Sequence, residues 1–291
     1  MRVAPSRRCA LSGLAFVLLL TITALGQLPL PSIPEVVEFP SGQLHLKGFL
    51  WKPAGRGPFP AVLFNHGSGG ENANLTAGMQ ITESAEILAP FFTRRGYAFF
   101  YPFRRGYGPS AKQAPFMQAV LQREELSKGR DARQHLQFIL LTTEQLDDVT
   151  AALAFLRTLT DVDPQRIAIA GNSFGGQLTL LAAERDKRVL AVVTFAAAAG
   201  SWDRSPELRE RLLAAIRKTD AAIMLTQAEN DFGTSAGRAL SAELERLHKP
   251  HVLKIYPQVG LSPEDGHNLL YEDIPAWEVD VFAFLGEHLK K

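Results

Sequence analysis

One stretch of the chain leaves little freedom in how it folds. Gly171-Asn172-Ser173-Phe174-Gly175 lies between a short apolar run, Ile167 to Ala170, and a helical pattern that continues from Gln177 to Glu184. A Gly-x-Ser-x-Gly between a buried strand and a helix forces a sharp turn, with the serine in a strained backbone conformation and its hydroxyl raised above the sheet edge. At a background of ~7% glycine, these five positions arise by chance in roughly one chain in ten of this length. The flanking strand and helix therefore carry the assignment, and a glycine-rich turn without chemistry is the alternative.

The same rhythm runs through the rest of the chain. Val36 to Lys52 alternates apolar and polar residues around Pro40-Ser41-Gly42-Gln43, which predicts a hairpin. Ala61 to Phe64 is a continuous apolar run leading into His66-Gly67-Ser68-Gly69-Gly70, as expected of a strand buried on both faces. Further strands are expected at 97–101, 166–170, 189–195, 221–226 and 251–256, with helices at 82–95, 206–218, 235–248 and 275–289. Thr142 with Gln145 resembles a capping box opening a helix whose face carries Val149, Leu153 and Leu156. Asp147 and Asp148 read as its solvated side. Alternating strands and helices predict an α/β fold, with a mostly parallel central sheet covered by helices on both faces.

One segment breaks the rhythm. Residues 111–141 are rich in Gln, Arg and Glu, with Phe116, Met117, Val120 and Leu121 at helical spacing. A connection that long inside a compact domain is usually functional or unstructured. We expect a helical cap whose Phe116 and Met117 line an apolar substrate pocket; a surface helix pair on the domain edge is the alternative.

The N-terminus reads as an address. Arg2, Arg7 and Arg8, an apolar run to Leu25, and Ala24-Leu25-Gly26 describe a signal peptide over 1–26 and hence a periplasmic or secreted protein, exported by the general or the twin-arginine route. The apolar run is shorter than the ~20 residues of a spanning helix, so no membrane span is expected after cleavage. Residues 27–35, with three prolines, form a leader, and 36–291 the folded domain. Cys9, the only cysteine, lies in the signal, which leaves a mature chain without disulfides, thiolate metal sites or a cysteine nucleophile. The formal charge of +1 falls to −2 when those three arginines leave. That balance disfavours nucleic acid and suits a small-molecule or short-peptide substrate. No metal or cofactor motif is present, and the oligomeric state is not encoded in any pattern.

A serine hydroxyl needs an imidazole to take its proton and a carboxylate to orient that imidazole. Of the histidines after Ser173, only His267 falls in a loop beyond the last strand at the elbow's end of the sheet. The loop after the strand at 221–226 offers Asp231, with Glu229 as the alternative acid. Two backbone N–H groups should face the oxyanion. Phe174 supplies one, and Ser68, flanked by glycines, the other. His66 reads as a residue that fixes its own loop.

These pieces, together with Arg105-Gly106-Tyr107-Gly108 and Ser110, resemble the α/β-hydrolase superfamily, in its dienelactone-hydrolase-like and prolyl-oligopeptidase-like branch, from Val36 to Leu289. The resemblance implies an α/β-hydrolase fold and a Ser173–His267–Asp231 triad. It also places the arginine-glycine loop beside the active site, which makes Arg104, Arg105 and Tyr107 candidates for substrate contact, with bracing of a tight loop as the alternative. Dienelactone hydrolases proper use a cysteine where this chain has Ser173, and prolyl-oligopeptidase-type enzymes add a propeller domain. The expectation is a serine hydrolase acting on a carboxylic ester. Cleavage of a peptide or amide bond is the alternative, and a non-catalytic binding protein on the same fold is the alternative of another class.

Overall fold

The computed structural model describes residues 33–69 and 77–289. The expected signal peptide, most of the leader and Gly70 lie outside the described residues. In chain order the elements are β1 (Glu35–Ser41), β2 (Leu44–Trp51), β3 (Phe59–Asn65), α1 (Ala77–Thr93), β4 (Ala98–Pro102), a 3-10 turn at Gly108–Gln113, α2 (Met117–Lys128), α3 (Arg130–Thr142) and α4 (Glu144–Leu156). There follow β5 (Val162–Asn172), α5 (Phe174–Arg185), β6 (Ala191–Phe195), α6 (Pro206–Lys218), β7 (Ala222–Ala228), α7 (Ser235–Arg246), β8 (His251–Tyr256), α8 (Pro263–His267), α9 (Leu269–Glu272) and α10 (Ile274–Leu289).

The eight strands form one sheet in the order β1-β2-β4-β3-β5-β6-β7-β8. The β1–β2 hairpin and its pairing to β4 are antiparallel, and every other pair is parallel. The burial of each strand follows its place. At the edge, β1 buries Val37, Phe39 and Ser41 and exposes the residues between them, whereas every residue of β4, β6 and β7 is buried. Helices cover both faces, so interior strands need apolar side chains on both sides. From α10, Trp277 is fully buried and meets Phe195 of β6 edge-on at 5.0 Å. This is the α/β-hydrolase fold. Among the described residues no helix is long and apolar enough to cross a membrane.

Because the six strands from β3 to β8 run parallel, their C-terminal ends converge on one rim. Asn65–Gly69, Ser173, Asp231 and the segment after β8 all emerge there.

Two expectations fail along α4. Thr142 ends α3, where its hydroxyl donates to the Phe138 carbonyl at 2.9 Å, and Thr143 donates to Ile139 at 2.7 Å. Both hydroxyls back-bond within the preceding helix, so neither caps the next one. Gln145 instead turns inward and accepts from Arg104 Nε at 2.9 Å. Asp148, expected in solvent, is 1% exposed. It takes Arg105 Nη2 at 2.7 Å and Nε at 2.9 Å, and the Ser41 hydroxyl at 2.6 Å. Asp147 is the exposed one of the pair and binds Arg185.

The segment 111–141 is the 3-10 turn followed by α2 and α3, joined at Gly129. Met117, Leu121 and Leu141 root the helix pair in the core.

Candidate active site

The site begins with Ser173, held at φ 55°, ψ −118°. A non-glycine residue there costs about 1–3 kcal/mol and persists only where its surroundings enforce it. They do so here. Ser173 N–H donates to Phe195 O at 2.8 Å, which ties the turn to β6, and α5 starts at the next residue. The flanking glycines are steric necessities. A Cβ at Gly171 would sit 2.6 Å from Thr179 Oγ1, and one at Gly175 would run into the backbone carbonyls of Asn65 and His66.

His267 Nε2 lies 2.9 Å from Ser173 Oγ, and His267 Nδ1 lies 2.7 Å from Asp231 Oδ1. An ionised carboxylate only accepts, so the ring proton sits on Nδ1 and Nε2 is free to accept from the hydroxyl. The Asp231 side chain is fully buried; its Oδ1 also accepts from Phe232 N–H at 2.7 Å and its Oδ2 from Gln227 Nε2 at 3.3 Å. Glu229 is exposed; the chain turns between the two acids, and only Asp231 meets the histidine.

The loop carrying His267 is held by groups that the sequence reading passed over. Asn230 Nδ2 donates to Val259 O at 2.7 Å and Ser262 O at 2.8 Å, while its Oδ1 accepts from Val259 N–H at 2.9 Å. Ser262 and Asp265 form a capping box on α8, which sets the histidine at the end of a rigid single turn.

On the opposite side stands the loop after β3. Gly67 approaches the elbow closely, and a Cβ there would lie 3.7 Å from Ser173 Cβ. Phe174 is the first residue of α5, so its N–H has no partner within the helix. Arg104 is 1% exposed. Its Nη1 donates to His66 O at 2.8 Å, Nη2 to Gly67 O at 2.9 Å and Nε to Gln145. The guanidinium also faces the Tyr107 and Phe174 rings at 5.3 and 5.6 Å.

His66 Nδ1 is 2.8 Å from Gly67 O, and His66 Nε2 accepts from Arg104 N–H at 3.4 Å. The Nδ1–H tautomer satisfies both. Burial, and then the Arg104 charge, hold the His66 pKa well below its usual value, so the ring is neutral. Tyr107 is equally buried and donates to Ser68 O at 2.9 Å, and burial raises its pKa to about 12.

For Arg104, Arg105 and Tyr107 the contacts favour the bracing alternative over substrate contact. Arg104 and Tyr107 are buried against the 66–68 loop, and Arg105 is spent on Asp148, with Glu144 at 3.4 Å. Their donors already have protein partners: Arg104 and Tyr107 brace the 66–68 loop, and Arg105 ties its own loop to α4. The sequence did carry a signal for this. Gln145 and Asp148 fall at i, i+3 on the same stripe as Val149, Ala152 and Leu156, and polar residues inside an apolar stripe need buried partners.

Beside the elbow lies a cavity of about 500 Å³ between α2, α3 and the segment leading into α6. Phe116 lines it and packs edge-on to Tyr107 at 5.2 Å. Met117 does not, since it points into the core. The cavity is not the apolar pocket expected, because the helix faces toward it carry glutamines and arginines.

Residues 46–262 match the dienelactone hydrolase family. The quorum-quenching protein AidA of Acinetobacter baumannii (strain MDR-ZJ06) is 31% identical over 164 residues, 56% of this chain and 44% of that protein. The chain spans about half the length of the curated relatives it matches. Among solved structures, the acylaminoacyl peptidase of Pyrococcus horikoshii superposes with a TM-score of 0.61 at 19% identity, over 89% of this chain and 42% of that one. The dienelactone hydrolase of Anabaena variabilis ATCC 29413 superposes with a TM-score of 0.56 at 20% identity, over 89% and 98%; at these identities the likeness is one of fold. The family match takes in the β3 loop, the elbow and Asp231 and stops short of His267. On that match the chain belongs to the dienelactone hydrolase family.

Proposed function

We propose that this member of the family is a serine hydrolase that cleaves a carboxylic ester through an acyl-enzyme. The observation that carries the reading is the unbroken path from Ser173 Oγ through His267 to Asp231, at 2.9 and 2.7 Å. His267 Nε2 takes the hydroxyl proton as Oγ attacks the ester carbonyl carbon. Asp231 stabilises the imidazolium across Nδ1–H. The carbonyl oxygen becomes an oxyanion that receives the N–H groups of Phe174 and Ser68. Collapse of the tetrahedral adduct breaks the bond to the alcohol oxygen, which leaves with the proton from His267. Water, deprotonated by the same nitrogen, then attacks the acyl-enzyme and releases the acid.

The buried arginine supports this assignment of donors. Gly67 O accepts from Arg104 and from His66, on the buried side of the loop. A planar trans peptide places the following N–H opposite its carbonyl, so fixing Gly67 O turns Ser68 N–H away from the arginine. The guanidinium polarises that peptide, which makes Ser68 N–H a stronger donor.

The test is covalent. A serine-directed fluorophosphonate should label the purified protein stoichiometrically, and Ser173→Ala should remove the label. An unlabelled wild type, or a labelled variant, overturns the reading. Aryl esters against aminoacyl anilides then rank ester against amide cleavage. We also propose export with cleavage after Gly26, which requires the protein recovered outside the cytoplasm to start at Gln27.

A further inference from the structure

The cavity beside the elbow is lined in an unusual way for its position. Ligand pockets are mostly apolar with a few placed polar groups; this one carries Gln118, Gln122, Gln134, Gln137 and Gln177, with Arg133 and Arg204. Among the described residues, the side chains of Gln122, Gln134, Gln137 and Arg204 make no hydrogen bond or ion pair with the protein. The neighbours of these groups are engaged. Arg133 pairs with Glu125 at 3.1 Å and Gln118, and Gln177 Nε2 meets Ser201 Oγ at 3.3 Å. Phe116, Phe138, Leu141 and Leu208 supply the apolar wall, and Glu125, Arg130, Ser201 and Ser205 also line the cavity.

We propose that this cavity is a subsite for a saccharide-type, hydroxyl-rich alcohol forming the leaving half of the ester; the proposal rests on the ester-hydrolase reading above. The choice of ligand follows from the donor and acceptor inventory. Each free glutamine offers an NH2 donor and a carbonyl acceptor in one plane, and a hydroxyl is also both donor and acceptor. Vicinal hydroxyls can therefore satisfy both ends of each amide. A carboxylate or phosphate would use only the donors and would leave three amide oxygens facing negative charge. An alkyl chain would strip water from all of these groups and return no hydrogen bond, at about 1–3 kcal/mol for each group. The phenyl and leucyl walls suit the C–H faces that a sugar ring presents between its hydroxyls.

The position of the cavity assigns it to the alcohol. The leaving oxygen must take its proton from His267 Nε2, so the alcohol lies on the histidine's side. Arg204 links the two. A Cβ at Gly200 would be 3.5 Å from Arg204 Nη2 and 4.0 Å from the Phe232 ring, and that ring lies 4.9 Å from the His267 ring. Gln177, one turn past Ser173 on α5, closes the near end.

The experiment compares two acetates with the same acyl group, 6-O-acetylglucose and ethyl acetate, in the full mature protein. We expect kcat/KM to favour the sugar ester at least tenfold, and the ratio to fall toward one in the double variant Gln134→Leu/Gln137→Leu, which keeps side-chain size and removes the amides. A melting curve on the variant verifies folding. A ratio near one in the wild type, or one that the double variant leaves unchanged, overturns the subsite. So does a preference that follows charge alone, with 3-acetoxypropanoate, whose carboxylate is on the leaving alcohol, favoured over propyl acetate and no gain for the sugar. Absence of hydrolysis of 4-nitrophenyl acetate and of both acetates strikes the ester-hydrolase reading itself.

Discussion

Arg104 Nη2 lies 2.9 Å from Gly67 O, and the hydrogen bonds of this buried guanidinium go to two backbone carbonyls and an amide, none to a carboxylate. Its charge is therefore not cancelled by a direct partner and acts on the peptide between Gly67 and Ser68. Burial lowers the Arg104 pKa, yet the group starts so far above neutrality that it stays charged. Arg104→Met should lower kcat roughly tenfold with little change in KM; removing an oxyanion donor outright costs about 10²–10³, and here the donor stays but loses its anchor. Rates normalised to fluorophosphonate-titrated sites separate this effect from misfolding. A pure rise in KM, or no change per titrated site, would count against it.

The two acids after β7 separate cleanly. Asp231→Asn should lower kcat by about 10⁴, the order expected when an acid that selects the histidine tautomer becomes an amide. Glu229→Gln should leave the kinetics unchanged, since Glu229 points into solvent. A large loss from Glu229→Gln would show that the loop rearranges before catalysis.

His66 makes stability depend on pH in a direction that can be stated. Its folded pKa is depressed, so the unfolded chain binds the proton more readily. The contribution is fully present above the unfolded value of about 6.5 and declines as pH falls below it toward the folded value. The melting temperature should drop between pH 6.5 and 5. His66→Asn, whose Nδ2 takes the place of the ring Nδ1, should flatten that segment of the profile. Parallel profiles for the two proteins would remove His66 as the source.

Asp148→Ala should be among the most damaging substitutions outside the site. It leaves the Arg105 guanidinium half-buried without its main partner, and it strips the Ser41 hydroxyl of its acceptor. Breaking a buried pair by removing one member costs about 3–5 kcal/mol. At about 2–4 °C per kcal/mol for a domain of this size, the melting temperature should fall by roughly 10 °C. A shift of a degree or two would mean that water replaces the carboxylate.

Local chemistry was legible in the chain, and distant partnership was not. The helix at Pro206–Lys218 falls where it was expected; Ser205 Oγ caps Leu208 N–H at 3.2 Å, a start signal complete within four residues. The strand at His251–Tyr256 is equally self-contained. By contrast, β5, expected at 166–170, begins at Val162 and runs through Asp163-Pro164. Its first residue pairs with Phe59, a neighbour about a hundred positions away. Ser173, Asp231 and His267 could be placed because chain order along a parallel sheet decides which loops share a rim. Gln145, Asp148 and Asn230 could not, because their partners, Arg104, Arg105 and the 259–262 segment, lie in other parts of the chain.

The α2–α3 pair uses its two sides differently. Met117 and Leu121 anchor it to the core, and Gln122, Gln134 and Gln137 face the cavity. The residues that hold the hairpin in place are thus not the ones that would meet a ligand. If the cavity is the proposed subsite, exchanging the glutamines one at a time would retune what is accepted while the reactive centre stays untouched, and close descendants of one sequence would diverge in diet before they diverge in shape.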